Sequence, residues 1–277
     1  MKSFACFSAC LPSTIFLNTG KKIFQSLAQK NGFKIVPTNV THAQNSNEYV
    51  ITGPYYNEKD QIWEKQSQGI AFWILDKNGT ITSTKNNSWE GQIGKLLPID
   101  EKGRISNVGY LLIHDITSTE DGKTFVIGEG YAKQNSKISV TDIVLLQFNK
   151  MFDLEKAYLG TKANTTKHEY RVGLNNNLHT TALWMKHKGD FDYSFTQTTR
   201  NNTFFVVGYT DYDKSKNSKD IVFNSLTYRD QKIAKDKINF HSEASLFRLF
   251  PSKPGFLLLM EYFKKEKRLD LRLEKMN

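Results

Sequence analysis

Three stretches of this sequence carry the same succession of apolar runs and turn residues, spaced about 75 to 80 residues apart. Glu48–Thr52 is followed by Gly53, Thr124–Ile127 by Gly128, and Thr203–Val207 by Gly208. Each then leads through a variable loop to a second apolar run: Ile70–Leu75 ending at Asp76, Ile143–Phe148 at Asn149, and Ile221–Leu226 at Thr227. Both termini hold an incomplete copy. Ile15, Leu17, Asn18 and Ile23 line up with Trp73, Leu75, Asp76 and Ile81 at one constant offset, and Phe256–Phe263 lines up with Thr124–Tyr131, which sets Glu261 on Glu129. A repeat this long, made of short apolar runs, predicts stacked β-units that bury their faces against one another.

The middle copy predicts four strands. Tyr110–Ile116 turns through Asp121-Gly122 into Thr124–Tyr131, because glycine accepts the positive φ of a tight hairpin. Asp142–Asn149 is apolar along nearly its whole length, as a strand buried on both faces would be, and Leu154–Gly160 follows a polar turn. The third copy predicts strands at Tyr193–Thr198, Thr203–Thr210, Asp220–Leu226 and near Lys232–Lys237, and Arg268–Lys275 alternates apolar and charged residues as a closing strand. Leu174–Lys188 suits a short helix or an extra hairpin, and Phe24–Lys30 a helical turn.

The expected fold is all-β and propeller-like, with about four blades of four antiparallel strands, either closed by an N-terminal strand or forming part of a larger propeller. Residues 1–13 read as an irregular or signal-like N-terminus and 14–277 as one repeat domain, divided into a partial blade at 14–36, repeats at about 37–107, 108–190 and 191–243, and a terminal partial blade at 244–277. Ring closure by the N-terminal strand would remove the exposed edge of the last blade.

Composition bounds function loosely. The chain has 277 residues, 39% of them hydrophobic, with no apolar run long enough to cross a bilayer as a helix. The formal charge is +10 and the pI near 9.3, yet basic and acidic residues alternate along most of the chain, which argues against nucleic acid as a partner. Cys6 and Cys10 form no disulfide framework. Met1–Leu17 and Ser8-Ala9-Cys10 have faint export and lipoprotein character, but the apolar stretch is short and Pro12 interrupts it, so the cellular compartment stays open. The sequence leaves the oligomeric state open as well.

The patterns D-G-K-x-F-V-x-G at Asp121–Gly128 and D-x-V-L-x-x-F-N at Asp142–Asn149 resemble the repeats of uncharacterised bacterial β-propeller proteins. Phe247–Asn277, with Pro251-Ser252-Lys253-Pro254-Gly255-Phe256, resembles the final blade of that group. The resemblance implies a fold and a bacterial setting and supplies no activity or catalytic residue.

No catalytic or cofactor motif stands out. The six histidines are scattered without metal-ligand spacing, and neither a nucleophile elbow nor a phosphate-cradling glycine loop is present, so no metal or cofactor is expected. His114 and Asp115 are adjacent, and in a regular strand their side chains would point to opposite faces. Glu129 and Glu261 occupy one repeat position and would serve a glycosidase if they faced each other about 5 to 10 Å apart. The more coherent signal is aromatic. Tyr55, Tyr56, Tyr131, Tyr209, Tyr212 and Tyr262 recur at or just past the ends of the second strands, with Trp63 in the first loop. They would either present a stacking face to a protein or glycan, together with His114, Glu129 and Glu261, or pack between blades. A non-catalytic binding or scaffold protein is therefore expected, with a carbohydrate-active hydrolase as the alternative.

Overall fold

The computed structural model describes residues 4–6, 13–16, 22–26, 29–42, 48–62, 64–100, 103–135, 137–170, 177–199, 201–211, 220–253 and 255–275. These form five antiparallel sheets in chain order. The first contains β1 (Phe4–Cys6), β2 (Ser13–Phe16) and β3 (Lys22–Ser26). The second contains β4 (Gln29–Lys30), β5 (Phe33–Ile35), β6 (Asn39–His42), β7 (Tyr49–Asn57), β8 (Gly69–Leu75) and β9 (Ile81–Ser88). The third contains β10 (Tyr110–Ser118), β11 (Thr124–Gln134), β12 (Lys137–Phe148), β13 (Leu154–Gly160) and β14 (Thr166–His168). After helix α1 (Leu178–Lys188) come the fourth sheet, with β15 (Tyr193–Thr198), β16 (Phe205–Asp211), β17 (Asp220–Arg229) and β18 (Lys232–His241), and the fifth, with β19 (Leu246–Pro251), β20 (Phe256–Phe263) and β21 (Arg268–Lys275).

The sheets are held by side chains that leave each strand alternately on its two faces. From the third sheet, Val126, Val144 and Leu146 pack with Val50, Ile70 and Phe72 of the second. Their neighbours Phe125, Ile127, Ile143 and Leu145 pack the other way, with Phe205, Val207, Tyr209, Leu226 and Tyr228 of the fourth. Burial on both faces is why β8 and β12 read as unbroken apolar runs. The fourth and fifth sheets meet through Phe195, Val206, Phe223 and Leu257. A fully buried side chain of this kind contributes about 1.5–3 kcal/mol.

The recurring glycine has a steric cause. In the third sheet the register slips between Ile113 and Asp115, opposite Gly128 and Ile127, and in the fourth between Tyr193 and Phe195, opposite Tyr209 and Gly208. In the second sheet the chain breaks between β5 and β6 opposite Gly53. A Cβ on Gly53 would lie 2.0 Å from the Val36 carbonyl oxygen, and one on Gly128 would lie 2.7 Å from the Leu111 side chain. Only glycine admits the irregular strand that passes so close.

Several sequence expectations need correction. Where about four blades of four strands were expected, the described residues form five sheets of three, six, five, four and three strands. The N-terminal strands pair among themselves, and no ladder joins them to the fifth sheet among the described residues. Phe4–Cys6, within the segment read as irregular, is a strand paired with β2. Gln29–Lys30 and Phe33–Ile35 pair within the second sheet. Lys22–Ser26 and Gln29–Lys30 are strands, where a helical turn was expected. Of the two alternatives for 174–188, the helix is found. It is started by the Asn177 side chain, which accepts from Thr180 N at 2.8 Å, and ended by left-handed Gly189. The connection after β9 holds a π-helical turn at Trp89–Ile93, and its Trp89, Ile93, Leu97, Ile105 and Val108 fill the core between the second and third sheets.

Candidate ligand-binding site

Two arrangements of polar side chains stand out, one sealed between sheets and one open to a cavity. The sealed one centres on Glu129, which β11 carries into the seam between the third and fourth sheets. Its Oε1 accepts from Lys162 Nζ at 2.7 Å and from Asp192 N at 3.3 Å, and its Oε2 accepts from Tyr193 N at 3.0 Å. Lys162 Nζ also donates to Asp192 Oδ2 at 2.6 Å, and Thr166 Oγ1 donates to the same oxygen at 2.9 Å. The Lys162 and Glu129 side chains are 1% and 0% exposed, so one ammonium lies between two carboxylates out of solvent.

The charge states follow from that geometry. Burial opposes ionisation of Glu129, but the nearby His114 and Lys162 outweigh it and hold its pKa below the usual carboxylate range. Burial likewise opposes the Lys162 ammonium, and the two carboxylates outweigh it, so its pKa is raised. Asp192 bears the mismatch of two negative groups on one positive one: burial, reinforced by Glu129 and only partly offset by Lys162, pushes it up to about 6. His114 Nε2 lies 3.3 Å from Glu129 Oε2, so its N–H dipole favours the carboxylate although the angle falls short of a full hydrogen bond. Burial lowers its pKa despite Glu129, so the contact is between a neutral imidazole and a carboxylate. The ring stacks on Tyr193 at 4.6 Å and meets the edge of Phe191 at 5.0 Å. His114 is the residue that the register slip in β10 leaves over, so strict alternation with Asp115 does not hold there.

The open arrangement is a cavity of about 360 Å³ between the second sheet, β10 and α1. Tyr56, Tyr131, His179, Lys65, Gln66 and Lys186 supply its polar wall, and Val36, Leu111 and Ile113 are among its apolar residues. Tyr131 and His179 Nδ1 lie 2.8 Å apart. Burial raises the Tyr131 pKa and lowers that of His179, so a neutral phenol meets a neutral imidazole. Lys186 Nζ donates to Ile113 O at 2.7 Å, and burial lowers its pKa although Asp115 opposes the shift. Gln66 Nε2 is buried with no hydrogen-bond partner. A second cavity of about 600 Å³ adjoins the first, sharing Lys65, Gln66, Ser67 and His179.

The residues expected at the site are thus divided. Tyr56, Tyr131 and His114 line the first cavity. Tyr55 packs among Ile35, Val40, Ile51 and Trp73 with its ring edge-on to Phe33, and Tyr209 is sealed beside Phe125 and Phe205. Tyr262 is half-buried on β20, where it pairs with Leu246 and Leu269. Glu261 accepts from Ser242 Oγ at 2.6 Å and lies 3.8 Å from Arg272 Nε, sharing no partner with Glu129. Trp63 and Tyr212 lie outside the described residues. Lys162, Asp192, His179 and Lys186 were not anticipated. Each comes from a connection or from the helix, where the repeat gives no register to read.

A family model matches the chain over residues 8–137 and again over 132–277. The chain belongs to the Family of unknown function (DUF6770). No curated protein matches it. Among solved structures, it is similar to Kuenenia stuttgartiensis hydrazine synthase, with 6% identity and a TM-score of 0.48 over 98% of this chain and 61% of that one. It is also similar to an endo-arabinase from Bacteroides thetaiotaomicron VPI-5482, with 11% identity and a TM-score of 0.36 over 100% of this chain and 93% of that one. Likenesses this remote carry neither activity nor ligand across.

Proposed function

We propose that this family member is a non-catalytic binding protein of propeller type, and that its ligand is a glycan bearing a carboxylate, held in the cavity walled by Tyr56, Tyr131 and Lys186. Support for the propeller comes from the serial face-to-face packing of the sheets and from contacts between strands of neighbouring sheets, β7 with β10, β10 with β15, and β15 with β19.

The cavity carries the functional reading. At about 360 Å³ it falls in the range of small-ligand sites and combines apolar walls with a few convergent polar groups. Tyr56 offers ring surface, while Lys65, Lys186 and the unpartnered Gln66 amide offer N–H donors. No described lining residue is an aspartate or glutamate, so the electrostatics favour an anion. The same lining leaves the hydrolase alternative without its acid pair in this cavity.

Calorimetry with digalacturonate and with its methyl ester tests the proposal. The acid is expected to bind and the ester to bind about tenfold or more weakly, since a hydrogen bond to a charged group contributes about 1.5–3 kcal/mol. Tyr56→Ala and Lys186→Met should each weaken the acid. Equal binding of acid and ester, no binding of either, or insensitivity to both substitutions would refute it.

A further inference from the structure

The fifth sheet ends on an open edge. β21 pairs with β20 on one side and carries no ladder on the other among the described residues. Its sequence from 268 is Arg-Leu-Asp-Leu-Arg-Leu-Glu-Lys. Leu269, Leu271 and Leu273 share one face and are 56%, 65% and 53% exposed, an apolar row that a solvated edge strand ordinarily avoids. The opposite face carries charges of alternating sign: Arg268 Nε is 3.1 Å from Asp270, and Arg272 Nε is 2.7 Å from Glu274. Half-exposed pairs like these contribute little within one chain.

That alternation becomes informative when the strand is set against its own copy. Two identical strands paired antiparallel about a twofold axis place residues opposite each other whose numbers have a constant sum, and opposed residues share a face. With Leu271 on the axis, Leu271 meets Leu271, Leu269 meets Leu273, Asp270 meets Arg272, and Arg268 meets Glu274. Every leucine meets a leucine and each of these charges meets its opposite. A shift by two residues in one direction puts Asp270 against Asp270 and Arg268 against Arg272. In the other direction it puts Arg272 against Arg272 and Asp270 against Glu274. A shift by one sets leucines against charges. The sequence of β21 therefore favours this self-pairing register over those shifted by one or two residues, and it is the one that pairs the most leucines and opposite charges within the strand.

We infer that this protein forms a twofold-symmetric dimer in which β21 pairs antiparallel with β21 of a second copy, Leu271 at the axis, joining two three-stranded sheets into one of six strands. The partner is a second copy because the charge row complements itself. The gain comes from new backbone hydrogen bonds along the edge and from leucine pairs that cover part of the exposed row.

Disulfide mapping in a Cys6→Ser/Cys10→Ser background tests the register. Leu271→Cys should cross-link to itself on oxidation. Leu269→Cys should not, because its two copies would lie roughly 14 Å apart along the strands, beyond disulfide reach. Leu269→Cys mixed with Leu273→Cys should cross-link. Light scattering of the parent chain should give about twice the 31.9 kDa chain mass. Asp270→Arg should shift the protein to monomer with its circular dichroism unchanged, and the swap Asp270→Arg/Arg272→Asp should restore the dimer. A parent chain that stays monomeric up to about 100 μM, a Leu269→Cys self-link, or a swap that fails to restore pairing would overturn the inference. So would a dimer without the Leu271→Cys link, such as one packed through sheet faces.

Discussion

Glu129 and Glu261 stand at one position of the repeat and meet opposite fates. Both lie on the middle strand of their sheet's first hairpins, Glu129 paired with Leu112 and Ile143, Glu261 with Phe247 and Asp270. Around Glu129 a further sheet is packed, and the chain connecting to it supplies Lys162, Asp192 and the Tyr193 amide. Glu261 lies in the last sheet and accepts from a serine hydroxyl, with Arg272 half in solvent beside it. The repeat fixes where a carboxylate leaves the strand, and both carboxylates are buried; the neighbour fixes whether the partnering cation is buried with it. At the same repeat position the fourth sheet carries Tyr209, an uncharged ring packed in the seam that also holds Glu129.

Removing the cation at each site should expose the contrast most strongly. Lys162→Met leaves two carboxylates buried without their shared ammonium, and loss of one partner of a buried pair costs about 3–5 kcal/mol. Arg272→Met, in a half-exposed pair, should cost no more than about 1 kcal/mol. Urea unfolding of the two variants measures both. Comparable losses would mean that the seam around Glu129 is wetter than its geometry indicates.

A smaller effect should appear in the pH dependence of stability. Asp192 titrates near 6 in the folded protein, above the value of about 3.9 for an unfolded aspartate. The folded state therefore holds the additional proton between those values, and stability falls as pH rises from about 4 to 6, then levels off. A shift of this size corresponds to about 3 kcal/mol. Glu129 works in the opposite sense: its lowered pKa makes its contribution present above the unfolded carboxylate pKa and lost as pH falls through its folded value. Melting curves across the window should show the Asp192 slope in the parent and its loss in Asp192→Asn. A parent curve flat from pH 4 to 6 would reject the raised Asp192.

Strands were legible where period and turn chemistry agreed. β15, β20 and β21 match their predicted bounds residue for residue, since alternation and flanking turns mark both ends. The regions between copies were not legible. Trp89, Ile93 and Val108 enter the core from an irregular connection with no period to reveal them. Lys162 looks like any solvated lysine, and its burial follows only from the meeting of two sheets. The tyrosines divide for a related reason: sequence places Tyr55, Tyr131 and Tyr209 at strand ends, while the depth of the neighbouring seam decides which ring reaches a cavity. His114 was legible as a residue of interest, but the bulge that turns it towards Glu129 was signalled only by the glycine across the ladder.

A small effect also belongs to the glutamate of the last sheet itself. In Glu261→Gln the amide oxygen can still accept from Ser242 Oγ, and only the long contact with Arg272 loses its charge. The expected loss is about 0.5–1.5 kcal/mol, that of one ordinary hydrogen bond weakened rather than a buried ion left unpaired. Glu129→Gln should lose more, because its second oxygen would be exchanged for N–H donors facing a buried ammonium, the Tyr193 amide or the Asp192 amide. Chemical denaturation of both variants at pH 7 measures the gap. If Glu261→Gln matched Glu129→Gln, the repeat position itself would set the energetics, and the packed neighbour would not.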